Sequence, residues 1–197
     1  SEAIDFVREM GGFVVRVGDP AMKPYCDESR LVSYWSSDIR TPELDRYLFT
    51  HCRLFVGTSS GPILTPVMFG VPTVGTNFFP FMGRLNASNT ITVPKKYRCV
   101  KSGRILSAEE SLSVDGNRGL GGTFADLLPK LGLAIVDNSP SEIADAVSEA
   151  LGAKSESSVL RENRAQIDAL YDTLSGYGSM GKIGGLWLEN LQISKHL

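Results

Sequence analysis

A chain of 197 residues, 42% hydrophobic and 21% charged, has the composition of a globular domain able to bury a sizeable core. Its 20 Lys+Arg against 22 Asp+Glu, a net charge of −2, exert no global pull toward nucleic acid or an anionic membrane, so any anion site has to be local. Three scattered cysteines (Cys26, Cys52, Cys99) and two histidines (His51, His196) support no disulfide framework, zinc site or His-based triad, and no apolar run reaches the roughly 18 residues of a membrane span.

Ser1 to Val7 has no initiator Met and enters helical periodicity at once, with Ile4, Val7 and Met10 on one side, as expected of a piece of a longer protein. Gly11-Gly12 ends this helix, and FVVRVGD, Phe13 to Asp19, is a short β-branched run of the buried-strand kind whose polar end is a loop. Leu31 to Trp35 is a second short strand. Thr41-Pro42 then offers an N-cap and a first-turn proline for a helix through His51, with Leu44, Tyr47, Leu48 and His51 on one stripe. RLFVG, Arg53 to Gly57, is the next strand, Pro62 to Phe69 a short helix and Val71 to Gly75 a strand again. Three strand-to-helix alternations predict an α/β fold, a Rossmann-like parallel sheet flanked by helices.

Residues 77 to 122 are irregular, with a strand expected at Lys96 to Val100 and a capping box, Ser107 to Glu110, opening one short helix. Gly116 to Gly122 reads as a loop and Thr123 to Leu131 as a helix. Order returns with LGLAIVD, Leu131 to Asp137, as a strand. Ser139, Pro140 and Glu142 then make the clearest helix start in the chain. A helix from Ser155 to Leu174 carries Val159, Asn163, Ile167, Leu170 and Leu174 on one face, and the glycine-rich GYGSMGKIGG leads to a last helix, Leu186 to Ile193. There is no internal repeat, and residues 1–197 are expected to form one domain with 175–197 as a closing segment.

Open parallel sheets bind ligands outside the carboxyl ends of their strands. Two such ends carry suitable residues here: RVGDPAMK, with Arg16 in the strand and Lys23 beyond the turn, and Thr58-Ser59-Ser60-Gly61 before Pro62. A helix N-terminus leaves about four amides without partners, small residues let a phosphate approach them, and Arg or Lys adds charge. Each feature also has a plainer role. Ser60 can simply cap the next helix, Pro62 removes one donor, Arg16 can be a salt-bridged sheet residue, and Lys23 a solvated lysine. The turn has neither the GxxxxGK[ST] of a P-loop nor a GxGxxG, which disfavours an NTPase or a dehydrogenase.

The segments VVRVGDPAMKP, Ser37-Asp38, LDRYLFTHCRLFVGTSSGP, FGVPTVGTN and NSPSEIADAV, taken in order, resemble the C-terminal, nucleotide-binding half of GT-B glycosyltransferases. Within that group the likeness is to bacterial glycosyltransferases of the surface-polysaccharide type. It implies a nucleotide-sugar donor whose diphosphate sits on Thr58, Ser59, Ser60 and Gly61, with Arg16 and Lys23 neutralising it in place of a metal ion. Gly18, Asp19, Asp38 and Asn77 are further donor-site candidates. The sugar would pass to a hydroxyl of a glycan or lipid-linked acceptor.

No metal and no other cofactor is implied. The partner domain is a missing N-terminal half that would supply the general base, and the catalytic residues are unidentified. The setting implied is the cytoplasm, free or peripheral at the inner membrane face, with no transmembrane segment and no nucleic acid. Where many retaining members place a Glu beyond the turn, this chain has Pro62, Ile63, Leu64 and Thr65, which counts against a retaining mechanism built on that carboxylate. Glu109 and Glu110 could replace it, although Glu110 belongs to the capping box. His51 is expected to have a core or helix-terminal role. A UDP-sugar 2-epimerase of the same fold and a non-catalytic binding domain are the alternatives.

Overall fold

The structure is a computed structural model and describes residues 2–19, 21, 31–116, 124–175, 181–189 and 191. In chain order the elements are α1 (Glu2–Glu9), β1 (Val14–Val15), β2 (Leu31–Val32), α2 (Pro42–His51), β3 (Phe55–Gly57), α3 (Leu64–Met68), β4 (Thr73–Phe78) and β5 (Thr90–Pro94). They continue with β6 (Lys96–Cys99), α4 (Ala108–Gly116), α5 (Phe124–Lys130), β7 (Leu133–Val136), α6 (Pro140–Ala150), α7 (Ser158–Ser175), β8 (Lys182–Ile183) and α8 (Gly185–Glu189). Lys23, Cys26 and all but the first residue of the loop expected at Gly116–Gly122 lie outside the described residues.

The fold is α/β. A four-stranded parallel sheet in the order β3-β4-β5-β8 is flanked by helices. This arrangement is compatible with a Rossmann-like layout. Helix α6 lies against β4 and β5, with α1 and α8 packed on it, and α7 packs on α4 and α8. Val74, Ile91 and Val93 of the sheet join Ala146, Leu160, Ile167, Ile183, Trp187 and Leu188 in the larger core. Phe55, Ile63, Val71, Phe78 and Leu85 form a second cluster. No described helix is long and apolar enough to cross a membrane.

Local chemistry sets the helix starts. The Thr41 hydroxyl accepts the Leu44 amide at 3.1 Å, and Ser139 and Glu142 close a reciprocal capping box. Elsewhere long-range packing corrects the sequence reading. β1 and β2 pair in parallel with each other and not with β3, so the first strand does not extend the main sheet. The strand at Lys96–Cys99 runs antiparallel to β7 as a separate two-stranded ribbon. Helix α7 buries Leu160, Arg164, Ile167 and Tyr171, whereas Val159, placed on that face from the sequence, is 63% exposed. The true stripe contains a buried arginine, which reads as polar until its partners are known.

Strand β5 was not expected. Thr90 and Thr92 make it look polar, but both are buried, and their hydroxyls bind the backbone of Leu85, whose side chain lies over Gly75. Nor was β8, which pairs with β5 through Lys182 and Ile183 inside the glycine-rich segment.

Candidate functional site

β3 ends at Gly57 on the carboxyl edge of the parallel sheet, and Thr58, Ser59, Ser60 and Gly61 follow, all exposed. The chain then enters a single 3₁₀ turn, Gly61–Ile63, before the short helix α3, in place of the continuous helix expected from Pro62. Ser60 occupies the N-cap position with extended backbone, yet its side chain makes no capping bond. Its hydroxyl donates to the Thr58 carbonyl at 3.4 Å, and its amide donates to the same oxygen at 2.7 Å. Thr41 and Ser139, by contrast, do cap with their side chains. The amides of Ser59 and Gly61 have no acceptor among the described residues.

Gly61 stands in open space. A Cβ there would meet no atom within 4 Å, and its φ lies outside the left-handed region. The fold therefore sets no requirement for glycine at this point. An exposed turn with free amides and no side chain over one of them can admit an anion to its backbone.

The neighbouring candidates are distributed as follows. The Arg16 amide donates to Val32 O at 2.8 Å and its carbonyl accepts from Trp35 N, while Val17 packs on the cluster that contains Phe55 and Ile63. The β1 end thus reaches the region below the turn by side-chain packing and not by strand pairing. Gly18 accepts from Arg40 Nη1 at 2.9 Å, and Asp19 takes the Ala21 amide at 2.7 Å, the plainer role open to a loop aspartate. Asp38 is exposed. Lys23 lies outside the described residues.

Asn77, at φ +50 on β4, is tied to Asn138. The Asn77 amide donates to Asn138 Oδ1 at 2.5 Å, and the Asn138 amide donates to Asn77 Oδ1 at 2.7 Å. Asn138 Nδ2 also donates to Pro94 O at 2.8 Å, so this pair locks the carboxyl ends of β4 and β5 to the end of β7. Asn138 was missed in the sequence. Its one signal is its place just before the Ser139 cap.

Both carboxylates held in reserve are occupied. Ser107 Oγ donates to Glu109, and Glu110 closes the expected box through Ser107 N at 2.8 Å and accepts Arg104 through both oxygens at 2.8 Å. The Arg104 bonds, with help from the Ser107 amide, hold the Glu110 carboxyl down to about 2 from its ordinary 4.5. A depressed carboxyl stabilises the fold above its unfolded value, and the contribution is lost as pH falls through the folded one. The stability difference between wild type and Arg104→Met is therefore expected to close as pH drops from about 4.5 to about 2, followed by urea unfolding at each pH.

His51 sits exposed at the end of α2, stacked on Tyr47 at 4.3 Å, a helix-terminal role. The two described cysteines differ in kind. Burial raises the Cys52 thiol, whereas the Ser102 hydroxyl and the amides of Ser102 and Lys101 hold the Cys99 thiol low. Iodoacetamide at mildly alkaline pH is expected to label Cys99 well before Cys52 by peptide mass spectrometry, and Ser102→Ala to narrow the gap.

The chain matches no known family, no curated protein and no solved structure in the three comparisons made.

Proposed function

We propose that this chain is the donor-binding half of a glycosyltransferase of GT-B fold, which holds a nucleoside-diphosphate sugar and passes the sugar to an acceptor hydroxyl. The observation that carries the reading is the turn after β3. It lies on the carboxyl edge of a parallel sheet, the side chain of its serine does not cap the helix that follows, and two of its amides have no acceptor among the described residues. The diphosphate would sit on Ser59, Ser60 and Gly61, with Thr58 at its side. Arg16 and Lys23 are assigned to neutralise the departing diphosphate, a task that then needs no metal ion. The acceptor-side base belongs to the other half of the enzyme in this reading.

Titration with UDP, GDP, CDP and their sugars, with the melting temperature followed with and without EDTA, tests it. One nucleotide is expected to raise stability by about 2.7 kcal/mol at 100 times its Kd, with EDTA making no difference. Failure of every nucleotide, with a complementing N-terminal half present, overturns the reading. Ser60→Ala is expected to weaken binding while the protein melts as before. A protein that melts early but binds normally would return Ser60 to a purely structural role.

A further inference from the structure

The ribbon of β6 and β7 ends in a surface unlike its own strands. Val100 donates its amide to Gly132 O at 2.9 Å, and Gly103 donates to Cys99 O at 2.9 Å, which closes the turn after β6. Gly132, at φ +66 just past α5, swings the chain into β7 and leaves Leu131 adjacent to the residue that pairs with Val100. Both apolar side chains stay in water: Val100 is 66% exposed and Leu131 is 47% exposed. Around them Arg98, Lys101 and Lys130 are exposed, and none of the three has a carboxylate partner among the described residues. Arg104 alone at this tip is matched, by Glu110.

An aliphatic pair fixed by backbone hydrogen bonds and flanked along the chain by three cations without carboxylate partners among the described residues is complementary to one kind of surface. We propose that this tip docks on an anionic lipid surface, with Val100 and Leu131 entering the boundary between headgroups and acyl chains and Arg98, Lys101 and Lys130 meeting lipid phosphates. Nucleic acid fits less well. The one aromatic of β6 and β7, Tyr97, is fully buried, so these two strands offer no ring for a base to stack on. The chain's net charge of −2 does not prevent docking, because screening confines the attraction to about 10 Å around the tip.

Sedimentation of the full chain with vesicles of phosphatidylcholine, alone or mixed with phosphatidylglycerol, tests the proposal and needs no nucleotide, so its outcome is read separately from the donor titration. Binding is expected to the anionic vesicles only and to fall about fivefold with each of Arg98→Gln, Lys101→Gln and Lys130→Gln. Val100→Ser combined with Leu131→Ser is expected to weaken binding at unchanged charge. High salt is expected to weaken it in the unsubstituted protein, a check that requires no variant to fold. No binding to anionic vesicles, or binding that survives the triple charge variant in folded form, overturns the proposal. So does binding that ignores the two serine substitutions and is competed away by single-stranded RNA, which would make the tip a general polyanion site.

Discussion

Arg164→Leu is expected to lower the melting temperature by about 10 °C in scanning calorimetry. The guanidinium sits in the interior of the helical layer with its side chain 7% exposed. Its Nε and Nη2 donate to the Ile183 carbonyl at 2.9 and 2.6 Å, Nη2 also donates to Glu149 at 2.7 Å, and Nη1 reaches Glu156. One side chain on α7 thereby joins α6, β8 and the segment before α7. Removing it strands Glu149, which is 8% exposed and already has one oxygen without a partner. Breaking such a pair costs about 3–5 kcal/mol, and each kcal/mol shifts a domain of this size by about 2–4 °C. Removing the buried glutamate as well, Arg164→Leu with Glu149→Leu, is expected to recover part of the loss, because the carboxylate left over is then Glu156, which at 24% exposure keeps access to water. A fall of less than about 3 °C for Arg164→Leu alone would show that water reaches the pair.

Gly61→Ala is expected to separate ligand binding from folding. No atom within 4 Å opposes the new methyl and the backbone angle suits alanine, so the melting temperature should stay within about 1 °C of wild type. A diphosphate that packs against the amides of this turn would meet the methyl directly. Loss of a charge-assisted hydrogen bond is worth about 1.5–3 kcal/mol, so Kd for the nucleoside diphosphate should rise about 10- to 100-fold by calorimetry. Gly57 is the internal control for a structural glycine. A Cβ there would stand 2.8 Å from the Phe55 ring, so Gly57→Ala should lower stability even without ligand. If Gly61→Ala binds as tightly as wild type, the diphosphate is not on this turn.

The parts of the fold that could be read from the sequence are those fixed within a few residues. Thr41-Pro42, Ser107 to Glu110 and Ser139 to Glu142 announce helix starts because the capping partners lie three positions apart. What could not be read depends on residues far away in the chain. Thr90 and Thr92 look like surface residues until the backbone of Leu85 accepts and supplies their hydrogen bonds. Arg164 breaks the apolar stripe of α7 until Ile183 and two glutamates surround it. The candidate site shows the same division. The strand, the small-residue turn and the proline were legible, but the direction of the Ser60 hydroxyl was not, and neither was the lock between Asn77 and Asn138.

The two-residue strand β8 has a consequence for the order of assembly. It pairs with β5 across some ninety intervening positions, Ile91 with Lys182 and Thr92 with Ile183, and the next few residues bring Trp187 and Leu188 into the larger core. Until they arrive, β5 has one flank without a ladder partner and the cavity for the Trp187 ring stands unfilled. Contacts of such separation close late and slowly, so during synthesis the half-built sheet waits with a sticky edge for nearly the whole of this segment to emerge. The period of greatest exposure to mispairing or to proteolysis therefore falls before residue 182, when most of the other elements are already in place.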